Sequence, residues 1–137
     1  MTRSALLLCS VLALAGCKGP KGSPDSTVKA FYSAADSQDF DSMADCLSSA
    51  SLSKMGSHAR AAAYFQANFA GWRDFSVTID DWSIGADEKS ATVRFVCVAD
   101  SVTNYKHQAV DCSDTYSLVK EEDGKWHINF ASKMRTQ

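Results

Sequence analysis

The sequence predicts an α+β domain in which three N-terminal helices pack on a bent, four-stranded antiparallel sheet. Two observations support this class. Apolar side chains recur every three or four residues before Gly71, which is the period of a helix, and every second residue after it, which is the period of a strand. A run of helices followed by a run of strands is typical of a domain whose helices lie on one face of an antiparallel sheet.

The first helix is predicted to begin at Ser23-Pro24-Asp25. Serine can cap a helix, proline fits its first turn, and an acidic residue interacts favourably with the positive end of the helix dipole. The residues that follow place four apolar side chains on one face: Val28, Phe31, Tyr32 and Ala35.

Two further helices are predicted before Gly71. A short second helix follows Asp39, which can cap it. Its apolar face consists of Phe40, Met43, Ala44 and Leu47. The serine-rich stretch 48–56 is predicted to be irregular, and a third helix is predicted from His58 to Phe69, with Gly71 placed to end it.

Alternation of apolar and polar residues marks the strands. The first runs over residues 75–84, and a shift of phase at Asp80-Asp81 predicts a β-bulge. The second, over residues 92–99, is apolar on both faces, which predicts a central place in the sheet. One long third strand is predicted over residues 106–120.

The last two strands are predicted to form a hairpin around Glu122-Asp123-Gly124, a three-residue loop with glycine at its left-handed position. The loop defines three cross-strand pairs: Lys120 with Trp126, Leu118 with Ile128, and Tyr116 with Phe130. The apolar pattern selects the same register, because it places the same side chains on the core face.

The first 16 residues are predicted to be an export signal that ends just before Cys17. Arg3 precedes an apolar stretch over residues 5–15, which is shorter than the roughly 20 residues of a spanning helix. Leu14-Ala15-Gly16-Cys17 resembles a bacterial lipobox, and the resemblance implies cleavage after Gly16 and diacylglycerol on the Cys17 sulfur. The alternative is an ordinary signal peptide with an unmodified Cys17.

The predicted organisation is a signal peptide at 1–16, a lipidated Cys17 with a tether at 17–23, and one domain at 24–135. Acyl chains on Cys17 would anchor the protein to a membrane of the bacterial cell envelope, facing the periplasm. In lipoproteins of enteric bacteria an aspartate after the lipidated cysteine favours the inner membrane, so Lys18 slightly favours the outer membrane.

Composition and motifs exclude several classes of function. The net charge of −2 argues against a nucleic-acid partner, which requires a basic surface. The chain has no Cys-x-x-Cys motif, glycine-rich phosphate loop or Ser-His-Asp arrangement, and the spacing of His58, His107 and His127 is not that of metal ligands. No metal and no other cofactor is predicted.

Three cysteines remain after Cys9 leaves with the signal peptide and Cys17 receives lipid. The predicted strand register places Cys97 and Cys112 directly opposite each other, which favours a disulfide between them. Two alternatives stay open: Cys46 bridges to one of these two residues, or all three thiols are reduced and buried.

The chain resembles the nuclear-transport-factor-2-like (NTF2-like) superfamily, also called cystatin-like, over residues 24–131. The residues that support the resemblance are Ser23-Pro24, Val28-Lys29-Ala30-Phe31-Tyr32, Asp39-Phe40 and Asp123-Gly124-Lys125-Trp126-His127-Ile128. The resemblance implies a cone in which a bent sheet wraps the first helix, and it is nearest to small bacterial lipoproteins whose domain has no assigned function.

Enzymes of this superfamily place an Asp, His or Tyr inside the cone, which directs attention to Asp114. This carboxylate interrupts an apolar strand face, so that a place inside the cone would suit it to act as a general base. The alternatives are that a bulge near Ser113 turns Asp114 to solvent, or that Asp114 lies at an open rim. The predicted pocket consists of Tyr32, Trp82, Phe95, Asp114 and Tyr116.

These observations predict a non-enzymatic envelope lipoprotein that binds a small apolar or amphipathic ligand, or a partner protein, at the membrane surface. Two alternatives remain: a proton-transfer or hydration enzyme that uses Asp114, and a structural protein that forms a homodimer through the outer face of its sheet. Fold resemblance alone does not decide among them, because different sites occur on one scaffold.

Overall fold

Four helices precede the sheet in the computed structural model, which describes residues 18–130. They are α1 (Pro24–Asp36), α2 (Phe40–Asp45), α3 (Ser49–Met55) and α4 (His58–Phe69). The α+β class is confirmed, with one helix more than predicted. The predicted signal peptide, Cys17 and residues 131–135 lie outside the described residues.

The ends of α1, α2 and α4 follow local sequence signals. α1 begins at Pro24, with Ser23 as an extended N-cap. The carboxylate of Asp39 accepts the backbone N–H of Ser42 and so caps α2, as predicted. α4 spans the predicted residues, and Gly71 lies just beyond its end with a φ of +82°.

The prediction of irregular structure at residues 48–56 is wrong, because Ser49–Met55 forms α3. The Ser48 hydroxyl accepts the backbone N–H of Ser51 and caps the helix. Leu52 and Met55, three residues apart, pack against the hydrophobic core. Capping and tertiary packing therefore outweigh the modest helix propensity of serine.

The sheet has five antiparallel strands: β1 (Trp72–Ile84), β2 (Ser90–Thr103), β3 (Lys106–Asp111), β4 (Asp114–Lys120) and β5 (Trp126–Ile128). The order is β1-β2-β4-β5, and β3 pairs with the part of β2 that extends beyond β4. β2 is central, as predicted, and the predicted bulge occurs between Ile79 and Asp81. α1 packs on the concave face of this bent sheet.

The predicted single strand over residues 106–120 is two strands, β3 and β4, interrupted at Cys112 and Ser113. The Ser113 hydroxyl accepts the backbone N–H of Cys97 at 2.8 Å, and its own N–H donates to the Asp111 carboxylate at 2.9 Å. These bonds replace regular ladder bonds, which explains why the pairing breaks here.

The predicted hairpin register is confirmed for two of its three pairs, Leu118 with Ile128 and Lys120 with Trp126. Gly124 has a φ of +76°, as its position in the loop requires. The third pair, Tyr116 with Phe130, is absent because β5 ends at Ile128, although the two rings still pack edge to face.

Candidate functional site

Three aromatic residues from three elements meet between α1 and the concave face of the sheet. Tyr32 comes from α1, Phe95 from β2 and Tyr116 from β4, and all three are buried. Ring centroids lie 5.0 Å apart for Phe95 and Tyr116 and 5.4 Å apart for Tyr32 and Phe95. We call these residues the aromatic cluster.

The aromatic cluster contains a hydrogen bond between two buried phenols. The hydroxyl oxygens of Tyr32 and Tyr116 lie 2.7 Å apart. Burial is the main cause that raises the pKa of both phenols far above the ordinary value, and the nearby Asp114 carboxylate adds to it. Both phenols are therefore protonated at neutral pH.

Asp114 begins β4 on the concave side, opposite Phe95, as the predicted register required. The interruption at Ser113 does not turn it fully to solvent: the side chain is half-buried and accepts the backbone N–H of Thr115 at 2.7 Å. The structure thus brings four of the five predicted pocket residues together. The fifth, Trp82, lies opposite Val93 and makes no ring contact with the cluster among the described residues.

A cleft of about 260 Å³ lies beside the aromatic cluster, between α1 and the edge strand β1. Its lining residues are Lys29, Tyr32, Ser33, Asp36, Phe75 and Val77. The same face of β1 continues through Ile79 to Trp82 and Ile84, which are 41% and 46% exposed. We call this cleft and its continuation along β1 the α1–β1 groove; it has an apolar wall and a charged rim.

The alternation of strand residues predicts that His127, between the core residues Trp126 and Ile128, faces outward, but His127 is 7% exposed. Nδ1 lies 3.0 Å from the Leu47 carbonyl oxygen, and Nε2 lies 2.8 Å from the Asp123 carboxylate. The prediction failed because Leu47 forms a parallel bridge with Ile128, so that the α2–α3 connection covers β5. The only local signal of the contact between the His127 ring and the Asp123 carboxylate was the spacing of four residues between them.

The remaining histidines and the free thiol do not form a metal site in the part of the chain that the structure describes. His58 pairs with Asp45 and His107 with Asp100, at 2.7 and 2.6 Å. Cys97 and Cys112 form a disulfide, the pairing that the register predicted. Cys46 is free and buried, and burial raises the pKa of its thiol to about 12.

Residues 18–23, predicted to be a tether, lie against the domain; we call them the N-terminal segment. The Lys21 backbone N–H donates to the Thr27 hydroxyl at 2.9 Å, and the Lys21 carbonyl accepts the Trp126 N–H at 2.8 Å. The Thr27 hydroxyl in turn donates to the Trp126 carbonyl at 2.9 Å. Lys18 bonds the Asp39 carboxylate at 2.8 Å and is the main cause that lowers the pKa of that group.

A bent antiparallel sheet around a buried first helix, with an aromatic cluster on its concave face, defines an NTF2-like domain. The chain belongs to the family of NTF2-like N-terminal transpeptidase domains, whose model matches residues 23–135. The resemblance to the superfamily is thereby confirmed, and the nearer resemblance to small bacterial lipoproteins stays a prediction. No sequence among the curated proteins matches the chain.

Solved structures share this fold at low sequence identity. A ketosteroid isomerase-like protein from Erwinia carotovora atroseptica has a TM-score of 0.63 at 12% identity, over 77% of this chain and 87% of that one. A Thiobacillus denitrificans protein described as a calcium/calmodulin-dependent protein kinase type II association domain scores 0.56 at 19%, over 81% and 91%. The epoxide hydrolase/cyclase-like enzyme SalBIII scores 0.52 at 14%, over 77% and 88%. These similarities concern the fold alone.

Proposed function

We propose that this protein is a lipid-anchored protein of the bacterial cell envelope whose NTF2-like domain binds an amphipathic ligand in the α1–β1 groove, without catalysis. The observation that supports this most directly is the exposure of Trp82 and Ile84 on the groove wall. Large apolar side chains that are exposed in a row beside a cleft are typical of binding surfaces.

The energetics of the groove favour a ligand with an apolar part. Covering the exposed fractions of Trp82 and Ile84 would remove on the order of 180 Å² of apolar surface from water, or about 4 kcal/mol. Lys29 and Asp36 on the α1 side offer charges to a polar head group. A small amphipathic molecule or an amphipathic segment of an envelope protein fits this combination.

The proposed anchor depends on the lipobox that ends at Cys17. Because the N-terminal segment begins directly after Cys17, the domain would be held at the bilayer surface, where amphipathic ligands concentrate. Within residues 18–130 no helix is long and apolar enough to cross a membrane.

Binding can be tested with anilinonaphthalene sulfonate, a probe with apolar rings and one negative charge. The substitution Trp82→Ala is expected to weaken probe binding by at least about tenfold, which corresponds to 1.4 kcal/mol. The control is Val96→Ala, which shortens an exposed apolar side chain on the outer face of the same sheet. Unchanged binding by Trp82→Ala, or an equal loss in both variants, would refute the proposed groove.

The anchor is tested separately by intact-mass measurement of protein extracted from membranes. The expected result is a chain that begins at Cys17 and carries the mass of a diacylglycerol, and a Cys17→Ser control that does not float with vesicles. An unmodified Cys17 in the mature protein would refute the anchor and leave the groove unaffected.

A proton-transfer enzyme is the second candidate, and the observation in its favour is the carboxylate of Asp114 beside two protonated phenols. Such a set could remove a proton with the carboxylate and stabilise a developing oxyanion with a phenol. If a substrate is found, an Asp114→Asn variant with unchanged turnover would exclude this role.

A further inference from the structure

The outer edge of β1 presents strand backbone beside the α1–β1 groove. β1 is at one end of the strand order, and among the described residues it pairs only with β2. The bulge between Ile79 and Asp81 marks the start of a regular stretch of this edge, and the turn after Ile84 ends it. We call residues 81–84 the free edge.

The hydrogen bonds of the sheet show which backbone groups the free edge presents. The Gly85 N–H donates to the Ser90 carbonyl at 2.8 Å, so these two residues form a hydrogen-bonded pair. In an antiparallel ladder, hydrogen-bonded pairs alternate with non-hydrogen-bonded pairs. Ile84 and Trp82, one and three residues before Gly85, therefore occupy non-hydrogen-bonded positions, and their N–H and C=O groups point away from β2.

The bonds on the other side of β2 agree with this alternation. The Lys120 N–H donates to the carbonyl of Lys89, the residue before β2, at 2.8 Å. Two and four residues later, Ala91 and Val93 therefore also bond to β4. These are the residues that lie opposite the two outward-pointing positions of the free edge, so β2 cannot satisfy the backbone groups there.

The two ends of β1 differ in what covers this edge. Near the start of β1, the Phe75 N–H donates to the Asp36 carboxylate of α1 at 3.2 Å. At the free edge, the outward-pointing backbone groups lie beside the exposed side chains of Trp82 and Ile84. An extended polypeptide matches both features, because it offers backbone partners along its side and an apolar side chain at every second residue.

The charges beside the free edge favour a basic partner. Asp81 lies on the outer face of the sheet, opposite Arg94. The Arg94 guanidinium bonds the carboxylate of Asp80 at 2.8 Å, and Asp81 makes no ion pair within the described part of the chain. A lysine or arginine on the outer face of an added strand would pair with this carboxylate, and opposite charges on neighbouring strands are stabilising.

The same charges disfavour a second copy of this chain at the free edge. The symmetric register would pair Trp82 of one copy with Ile84 of the other. It would also bring Asp81 beside the β1–β2 turn of the other copy, which carries two acidic residues and one lysine. Like charges on neighbouring strands are destabilising, so the electrostatics select a different chain.

We propose that the free edge binds, by strand addition, an extended segment of another protein in which apolar residues alternate with lysine or arginine. The backbone of this segment bonds to Trp82 and Ile84, its apolar side chains cover the groove wall, and its basic side chains face Asp81. The bulge and the acidic residues discourage pairing with a neutral strand. This inference names the partner class of the proposed groove and rests on that groove, but not on the lipid anchor.

The test measures, by fluorescence anisotropy, the binding of a short labelled peptide in which lysine alternates with valine. One form is N-methylated on every valine and a second form on every lysine. Only one of these two sets of N–H groups faces β1 in an added strand. One form should therefore bind at least about tenfold more weakly than the unmethylated peptide, and the other within about threefold of it. Equal binding or an equal loss in the two forms would overturn strand addition.

The substitution Asp81→Lys tests the charge of the partner. It should weaken binding of the lysine peptide at least about tenfold, and it should strengthen binding of a peptide with glutamate in place of lysine. The matched control is Glu122→Lys, which makes the same change of charge in the exposed β4–β5 loop, across the sheet from β1. Equal effects of the two substitutions would overturn the preference for a basic segment.

The groove and the strand addition can fail separately. If anilinonaphthalene sulfonate binding depends on Trp82 while the two methylated peptides bind alike, the groove stands and strand addition is overturned. If binding of that probe does not depend on Trp82, the groove itself is refuted. Sedimentation of the free protein is a further check, because a dimer that the lysine peptide dissociates would make a second copy the occupant and would overturn this inference.

Discussion

The buried hydrogen bond between Tyr32 and Tyr116 predicts strongly non-additive effects of removing the two hydroxyls. Tyr32→Phe or Tyr116→Phe alone leaves one buried hydroxyl without its partner at 2.7 Å, at a cost of about 1–3 kcal/mol in the free energy of unfolding. The double variant removes both hydroxyls and keeps both rings, so its loss should fall short of the sum of the single losses by about 1–3 kcal/mol.

Urea unfolding of the wild type, both single variants and the double variant measures this coupling. Tyr64→Phe is the control, because Tyr64 is partly exposed on α4 and its change should stay within about 0.5 kcal/mol. Additivity of the two single losses to within about 0.5 kcal/mol would refute the bond between the phenols.

The same pair predicts a loss of stability at high pH. Burial raises the pKa of both phenols in the folded state, while unfolded tyrosine ionises near pH 10. The stabilisation is therefore complete below about pH 10 and declines as the pH rises above it, by up to about 2.7 kcal/mol per pH unit for two protons. In the double phenylalanine variant this part of the pH dependence should disappear, and its persistence would show that other groups cause it.

Four further predictions concern other parts of the domain. Thr27→Val should cost about 1–3 kcal/mol and speed amide exchange in the N-terminal segment, whereas Thr27→Ser keeps the hydroxyl and should not speed that exchange. Replacing both Cys97 and Cys112 with alanine should cost about 3 kcal/mol by the chain-entropy estimate, measured by urea unfolding; a loss below 1 kcal/mol would contradict it. The Cys46 thiol should react with Ellman's reagent at pH 8 only after unfolding, and reaction in the native protein would be inconsistent with its burial. Tyr105→Gly should raise stability by about 1 kcal/mol in thermal unfolding, because glycine tolerates the left-handed turn; a lower melting temperature would show that the ring stabilises the fold.

The positions of most secondary-structure elements could be predicted because their signals are local. The change of period at Gly71 separated helices from strands, the residues around Pro24 marked the start of α1, and Asp39 marked the cap of α2. The 122–124 loop set the register of the closing hairpin, and the placement of Cys97 opposite Cys112 followed from the register of neighbouring strands. Each of these signals lies within a few turns of helix or one hairpin.

The tertiary structure alone decided what depends on residues far apart in the chain. α3 forms because Leu52 and Met55 reach the core, and His127 is buried because the chain near Leu47 covers β5. The hydrogen bond between Tyr32 and Tyr116 likewise could not be predicted from any local sequence pattern. These contacts depend on which surfaces pack together when α1 packs on the bent sheet. The free energy of that packing comes from several segments at once, so no single segment of the sequence predicts it.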